Sequence, residues 1–261
     1  MNSLELFKTQ KFYQIDISIL KDLGYDVLLS NRIFDSLLFW KYDILFSYFY
    51  RYSFFAALLA KCFGKKTYFT GGIDSLDSDY ASAFNYKIQA LFFKLCYWVA
   101  DSCIIVSQSD LKNIFKVSSL KKKLSYSEHV INTKLFIADV PKEKIFTSIV
   151  WMGDEGNVVR KGVDKALQIF AELKKIPEFV DYRFVIIGRK GEGEVLVRSI
   201  IDKYNLKGSV ELKGEVSEED KINLLKQSKY YFQLSLYEGF GLAALEALCA
   251  NNIIIHSGKG G

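Results

Sequence analysis

The sequence predicts an α/β protein in which parallel sheets are covered by helices. Short runs of aromatic and branched apolar residues alternate along the chain with stretches whose apolar residues recur at helical spacing. This alternation is typical of parallel sheets with helices on both faces. The length of 261 residues suggests about two domains, and a hydrophobic fraction of 50% with 25% charged residues excludes a disordered chain.

The first half of the chain shows the alternation loosely. The predicted helices cover residues 15–23, 53–63 and 83–99. The predicted strands cover residues 25–30, 43–47, 66–70 and 100–107, with a glycine turn expected at residues 71–74.

The second half shows the alternation more clearly. Strands are predicted at residues 148–153, 182–188, 209–216, 230–236 and 253–255. Helices are predicted from Val163, at residues 195–204, after Ser217 as an N-cap with an acidic first turn, and after Gly241. The strand at 182–188 ends at Gly188, but the glycines that follow do not form the G-x-G-x-x-G pattern of dinucleotide-binding proteins.

Two carboxylates surround a glycine-rich turn near the end of the chain. Glu238 and Glu246 are separated by seven residues, and the turn between them lies between a predicted strand and a predicted helix. The N–H groups at such a helix start bind phosphate, and the carboxylates could accept hydrogen bonds from sugar hydroxyls. This pattern favours a nucleotide-sugar site formed by the backbone of Gly239, Phe240, Gly241 and Leu242. The alternative is an ordinary turn with two surface carboxylates.

Adjacent cations, Arg160 and Lys161, precede the predicted helix at Val163 at the end of what we interpret as a polar loop. A planar guanidinium and a compact ammonium could bind a diphosphate and stabilise it as a leaving group. A solvated pair at a loop tip is the alternative interpretation.

These motifs resemble the E-x(7)-E and Lys-Gly segments of the retaining family-four glycosyltransferases, the glycosyl transferases group 1 proteins of GT-B fold. The resemblance implies two Rossmann-like domains facing a cleft and transfer of a sugar from a nucleoside diphosphate sugar with retention of configuration. It places Glu238 beside the donor sugar, Glu246 on the ribose, Arg160 and Lys161 on the diphosphate, and Gly188 in the nucleotide pocket. It implies no cofactor and no metal requirement.

The segment from His129 to Phe136 resembles the family's interdomain segment, and residues 137–147 have linker composition, including Asp139. We therefore predict an acceptor-side domain at residues 1–140 and a donor-binding domain at residues 141–261. The family's first strand has no counterpart before Phe12, and the family continues beyond the last strand here. The resemblance thus predicts an incomplete domain pair with a truncated second domain.

Two positions depart from the family pattern. Asp154 follows Gly153 where the family has an Arg, and Gly71 stands where many members have a His. The competing hypothesis is therefore a non-catalytic nucleotide-sugar binder or a supporting subunit of a transferase complex. A different Rossmann-type nucleotide enzyme is disfavoured by the missing glycine pattern.

The acceptor is only weakly encoded, and a glycan, a lipid-linked glycan or a small molecule all fit. Lys121, Lys122 and Lys123, with the aromatic helix that contains Phe92, Phe93, Tyr97 and Trp98, could contact an anionic membrane, although a solvated lysine run beside a buried helix is the alternative. The net charge of +5 is modest and dispersed, which argues against a nucleic-acid partner.

The sequence lacks an obvious signal peptide and any apolar run of transmembrane length. Four cysteines lack zinc spacing and are expected to be buried, reduced thiols. We expect a cytoplasmic location, from which the protein could also associate peripherally with the inner face of the membrane.

Overall fold

A computed structural model describes residues 3–9, 11–71, 76–78, 81–118, 121–137 and 140–259. The predicted turn residues 72–74 and the predicted linker residue Asp139 lie outside these ranges. The chain divides into two units, Met1–Val130 and Ile131–Gly261.

The division lies earlier than the predicted boundary between residues 140 and 141. Ile131 and Phe136 pack into an apolar cluster with Leu225, Tyr231 and Ala247, all of which belong to the second unit. The linker interpretation of residues 143–147 is wrong, because these residues begin a strand that pairs on both of its edges.

The first unit contains a parallel sheet of four strands. In the sheet they follow chain order: β1 (Ile44–Tyr48), β2 (Lys66–Thr70), β3 (Ser102–Ile105) and β4 (Leu124–Tyr126). The helices are α1 (Ser3–Thr9), α2 (Lys11–Asp22), α3 (Tyr50–Cys62), α4 (Ala83–Val99) and α5 (Gln108–Val117).

The strand predicted at residues 25–30 is wrong, because this segment is irregular in the structure. Tyr25 and Leu28 are 49% and 70% exposed, so the segment buries no continuous apolar face that could hold it in the sheet. The strands and helices predicted between residues 43 and 107 are confirmed within a few residues at their ends.

The second unit contains a parallel sheet of five strands in the order β7-β6-β5-β8-β9. The strands are β5 (Glu143–Ile149), β6 (Arg183–Ile187), β7 (Val210–Gly214), β8 (Ser228–Gln233) and β9 (Ile253–His256). The helices are α6 (Glu155–Lys161), α7 (Val163–Leu173), α8 (Glu194–Lys203), α9 (Glu218–Gln227) and α10 (Leu242–Cys249).

Both faces of this second sheet are covered, as the sequence predicts. Phe184 and Ile186 of β6 pack with residues of α7 and α8, whereas Val185 and Ile187 pack on the opposite face with Leu224 of α9. Successive side chains of a strand point to opposite faces, so a strand buried on both sides reads as a continuous apolar run.

Two of the cysteines do not match their prediction. Cys96 and Cys103 are buried free thiols, but Cys62 is exposed and Cys249 is half-buried. Burial raises the pKa of Cys103 to about 12 and raises the pKa of Cys96 as well, so the buried thiols stay protonated at neutral pH.

Candidate functional site

The order of strands in the second sheet identifies the edge where a ligand would bind. From the central strand β5 the chain proceeds to β6 and β7 on one side, then crosses to β8 and β9 on the other. The connections after β5 and β8 therefore leave in opposite directions. In parallel α/β sheets, the ligand crevice forms at such a switch point, at the carboxyl ends of the two strands. The segments that carry Lys161 and Glu238 follow β5 and β8, respectively.

The segment after β5 is a helix, which corrects the polar loop expected from the sequence. The side chain of Asp154 caps the start of α6 by accepting a hydrogen bond from the backbone N–H of Asn157 at 2.6 Å. Asp154, one of the two departures from the family pattern, thus has a local structural role. The helix ends at Gly162, whose φ of 69° is left-handed.

The end of α6 lies against the segment that follows β8. The backbone N–H of Leu236 donates to the carbonyl oxygen of Arg160 at 2.8 Å. A Cβ atom on Gly162 would lie 2.0 Å from the carbonyl oxygen of Leu234, so only glycine permits this close approach. Sequence reasoning treated Gly162 only as part of the Lys-Gly motif and missed this requirement.

This close approach brings together two of the predicted site residues. The Nζ atom of Lys161 lies 2.6 Å from Oε2 of Glu238, and the two side chains are 21% and 19% exposed. The same oxygen accepts hydrogen bonds from Nε2 of Gln233 at 3.0 Å and from Oγ of Ser235 at 3.1 Å. Three donors therefore fix one carboxylate oxygen at the carboxyl end of β8.

The second carboxylate has a different environment. Glu246 lies in α10, is 4% exposed, and accepts from Nζ of Lys221 in α9 at 2.8 Å. Lys221 also lies 2.9 Å from Oε2 of Glu218. A buried carboxylate needs such a compensating cation, because removing a charge from water is costly.

The charges of both carboxylates affect the pKa of one buried tyrosine, Tyr231. Tyr231 of β8 is fully buried, and its hydroxyl oxygen accepts a hydrogen bond from the backbone N–H of Ile149 at 3.4 Å. Burial raises the pKa of Tyr231, and the charges of Glu238 and Glu246 raise it further. Tyr231 thus lies within electrostatic range of both members of the E-x(7)-E motif.

The turn between the carboxylates has the predicted form. Gly241 precedes α10 with a left-handed φ of 85°, and it has no side chain that could cap the helix. The first N–H groups of any α-helix lack partners within the helix, and the positive end of its dipole favours an anion. Gly239, Phe240, Gly241 and Leu242 are half-buried and form the approach to this helix start.

Two other predicted site residues, Arg160 and Gly188, contact residues other than the two carboxylates. The Nε and Nη2 atoms of Arg160 donate to Oδ1 of Asn157 at 3.2 and 2.7 Å, so its guanidinium is held within α6. Gly188 follows β6, and a Cβ atom there would lie 2.0 Å from the carbonyl oxygen of Val150. The absent side chain at residue 188 therefore lets the segments after β5 and β6 pack together.

Sequence reasoning missed Lys221, Gln233 and Ser235. Gln233 and Ser235 flank Leu234 at the end of a buried strand, and two polar residues at alternate positions could have indicated a shared contact. Lys221 carries no comparable signal, because its partner lies on another helix. Among the described residues, no group of three or more His, Cys, Asp or Glu side chains could hold a metal ion.

Comparison with known proteins assigns a family to the region that contains this site. Residues 156–261 match the model of the glycosyl transferases group 1 family. Over 101 residues the chain is 36% identical to a GDP-mannose:cellobiosyl-diphosphopolyprenol alpha-mannosyltransferase from Xanthomonas oryzae, a match that covers 38% of this chain and 26% of that protein. Over 104 residues it is 31% identical to one of the subunits of the human phosphatidylinositol N-acetylglucosaminyltransferase, covering 40% and 21%, respectively.

The fold is also similar to that of solved structures. Anabaena Alr3699/HepE in complex with UDP superposes with a TM-score of 0.69 at 14% identity, over 87% of this chain and 63% of that one. This likeness, with the two parallel sheets, confirms the predicted GT-B fold class. The chain matches only about a quarter of the length of the curated relatives.

Proposed function

We propose that this chain, whose residues 156–261 match the glycosyl transferases group 1 family, takes part in sugar transfer from a nucleoside diphosphate sugar. The observation that carries the proposal is the pairing of Lys161 with Glu238 at the crevice between β5 and β8. The ammonium of Lys161 and a carboxylate that can accept a hydrogen bond from a sugar hydroxyl lie side by side there, next to the start of α10.

In this proposal the diphosphate lies at the start of α10. The backbone N–H groups of that helix and the ammonium of Lys161 stabilise the negative charge that develops on the leaving diphosphate. Glu246 accepts hydrogen bonds from the ribose hydroxyls, and Glu238 accepts from a hydroxyl of the donor sugar. Arg160 acts on the diphosphate only after its guanidinium leaves Asn157.

The transfer itself breaks the bond between the anomeric carbon and the diphosphate oxygen and forms a bond from that carbon to an acceptor hydroxyl oxygen. The departing phosphate oxygen takes the proton of that hydroxyl, and the anomeric configuration is retained. A divalent metal is not required in this scheme. Chelation with EDTA should then leave the rate unchanged, whereas a loss restored by Mg²⁺ or Mn²⁺ would contradict this part.

The donor is tested by binding. The Xanthomonas relative is named for GDP-mannose, and the Anabaena structure holds UDP, so both nucleotides belong in the panel. Thermal unfolding of the purified chain should be measured with GDP-mannose, UDP-glucose and UDP-N-acetylglucosamine, with NAD as the control of another class. A ligand that binds only the folded state raises the unfolding temperature.

The matched variants for this experiment are Glu246→Gln and Glu218→Gln. Both remove a carboxylate that contacts Lys221, but only Glu246 is proposed to hold the ribose. We expect the sugar-nucleotide shift to disappear in Glu246→Gln and to persist in Glu218→Gln. Equal shifts in both variants would overturn the assignment of Glu246.

A non-catalytic nucleotide-sugar binder, or a supporting subunit, is the second candidate function. Asp154 occupies an N-cap where the family has an Arg, so one phosphate contact is replaced by a negative charge. Gly71 has a φ of 106°, a conformation that a His adopts only under strain. Binding of a donor without hydrolysis or transfer, across glycan and lipid-linked acceptors, would favour this candidate.

A further inference from the structure

Helix α4 of the first unit has two apolar faces. One packs into the core through Phe93, Cys96, Tyr97 and Val99. The other carries Phe84, Leu91 and Trp98, which are 72%, 55% and 71% exposed.

The exposed residues recur every seven positions and therefore lie on one side of the helix. Lys87 and Lys94 lie between them at spacings of three and four residues and are also exposed. We call the surface formed by Phe84, Lys87, Leu91, Lys94 and Trp98 the α4 face. Large apolar side chains grouped on an exposed helix face mark an interaction surface.

The residues of α4 that could contact a membrane differ from those expected from the sequence. Phe93 and Tyr97 are buried and Phe92 is packed against the core, so for these three the alternative of a buried helix applies. Trp98 alone among the four aromatic residues considered from the sequence is exposed. Phe84 and Leu91 join it instead.

The charge of this surface is positive. The helix contains two lysines and no acidic residue. The lysine run 121–123 meets its carboxyl end, because Nζ of Lys123 donates to the carbonyl oxygens of Tyr97 at 3.2 Å and Trp98 at 3.0 Å. Lys121 and Lys122 are exposed beside this contact.

We propose that the α4 face docks on an anionic phospholipid bilayer, with the helix axis parallel to the membrane surface. Phe84 and Leu91 enter the boundary between headgroups and acyl chains, Trp98 takes the interfacial position that tryptophan prefers, and the lysines contact lipid phosphates. Charge complementarity selects this occupant, because the apolar residues are interleaved only with cations. None of the helices in the described part of the chain has both the length and the apolar composition of a membrane span.

The docking surface extends the proposed function by indicating where a lipid-linked acceptor would be met. Only the link to a lipid-linked acceptor rests on the proposed function. Membrane binding itself does not, because α4 belongs to the first unit and the donor residues belong to the second. Vesicle binding should therefore be unchanged in Glu246→Gln. Donor binding should be lost in that variant. If the parent chain itself binds no donor but still binds vesicles, the donor site is refuted and the membrane surface stands.

The first experiment is flotation of the full chain with vesicles of phosphatidylcholine alone or mixed with phosphatidylglycerol. We expect binding only to the anionic vesicles, with the bound fraction falling as salt rises. The double variant Lys87→Gln/Lys94→Gln should weaken binding by about fivefold for each lysine, the effect of one basic residue near an anionic surface. Its matched control, Lys165→Gln/Lys175→Gln, removes two exposed lysines of the second unit and should bind as the parent chain does.

The second experiment reports on Trp98 directly. The chain has three tryptophans, so Trp40→Phe/Trp151→Phe leaves Trp98 as the single emitter. Anionic vesicles should shift its emission to shorter wavelength, and lipids brominated in the acyl chain should quench it. Binding without quenching would place another surface on the membrane and overturn the proposal. Failure of the folded chain to bind at low salt, or concentration-dependent dimerisation abolished by Trp98→Ala, would also overturn it.

Discussion

The ammonium of Lys161 lies 2.6 Å from the Oε2 atom of Glu238, and this contact joins the segments that follow two adjacent strands of the second sheet. A carboxylate alone at this position would repel a diphosphate. The paired ammonium offsets that charge, while Gln233 and Ser235 hold the carboxylate in one orientation. In the proposed function, this pair would contact a ligand that carries both phosphates and hydroxyls.

Replacing Lys161 by Met should weaken donor binding. Hydrogen bonds to charged groups contribute about 1.5–3 kcal/mol, so the dissociation constant should rise by roughly ten- to a hundredfold. Isothermal titration with the donor found in the thermal panel measures this change. Lys165→Met, an exposed lysine of α7, is the matched control, and an unchanged constant in Lys161→Met would remove Lys161 from the site.

Loss of Lys221 should destabilise the second unit. Glu246 is 4% exposed, and Lys221→Met leaves its carboxylate buried without the ammonium that contacts it at 2.8 Å. Breaking a buried ion pair by removing one partner costs about 3–5 kcal/mol. Urea denaturation measures the free energy of unfolding.

The double variant Lys221→Met/Glu246→Gln tests the cause of that loss. It should recover part of the stability, since the buried carboxylate at residue 246 is removed together with the ammonium that it contacts. A double variant that loses the sum of the two single effects would show that the residues are not coupled.

Substitution of Gly162 should disturb both stability and the site. A Cβ atom would overlap the carbonyl oxygen of Leu234 at 2.0 Å, and the left-handed backbone disfavours any other residue. We expect Gly162→Ala to lower the free energy of unfolding by about 2 kcal/mol or more. Gly208→Ala is the control, because its Cβ atom would meet nothing within 4 Å and should cost little.

Asp101 should make the first unit sensitive to acid. Burial raises the pKa of its carboxyl, but hydrogen bonds from Lys61 and from the backbone and hydroxyl of Thr67 outweigh burial and lower it. The folded-state pKa is therefore below the unfolded value, and the stabilisation is present above the unfolded value of 3.8 and is lost as pH falls through the folded one.

Asp101→Asn should thus lower the free energy of unfolding, measured by urea denaturation, by about 1 kcal/mol at neutral pH. The effect is this small because solvent screens a partly exposed group. The difference from the parent chain should shrink below the unfolded pKa. Asp43→Asn removes a carboxylate that is 98% exposed and should have little effect at any pH. A pH-independent difference for Asp101→Asn would contradict the electrostatic explanation.

Much of the second unit could be predicted because its signals are local. The apolar run at residues 184–187 is long enough for a strand buried on both sides, and Ser217 followed by Asp220 forms the expected helix start, with the serine hydroxyl accepting from the backbone N–H of Asp220 at 3.0 Å. The strand prediction for residues 25–30 was wrong for the opposite reason. Its apolar residues satisfy a strand pattern, but pairing with a sheet is a tertiary event that the pattern does not contain.

The sequence by itself determined the alternation of strands and helices, the glycine turn before α10 and the two carboxylates around it, because these depend on residue type and spacing along the chain. Only the tertiary structure decided which partner each carboxylate has. Lys161 and Glu238 are 77 residues apart, and they meet because β5 and β8 are neighbours in the sheet. Lys221 and Glu246 are 25 residues apart, and they meet because α9 packs beside α10. Strand order and helix packing arise from burial of apolar surface over the whole unit, and no local motif encodes them.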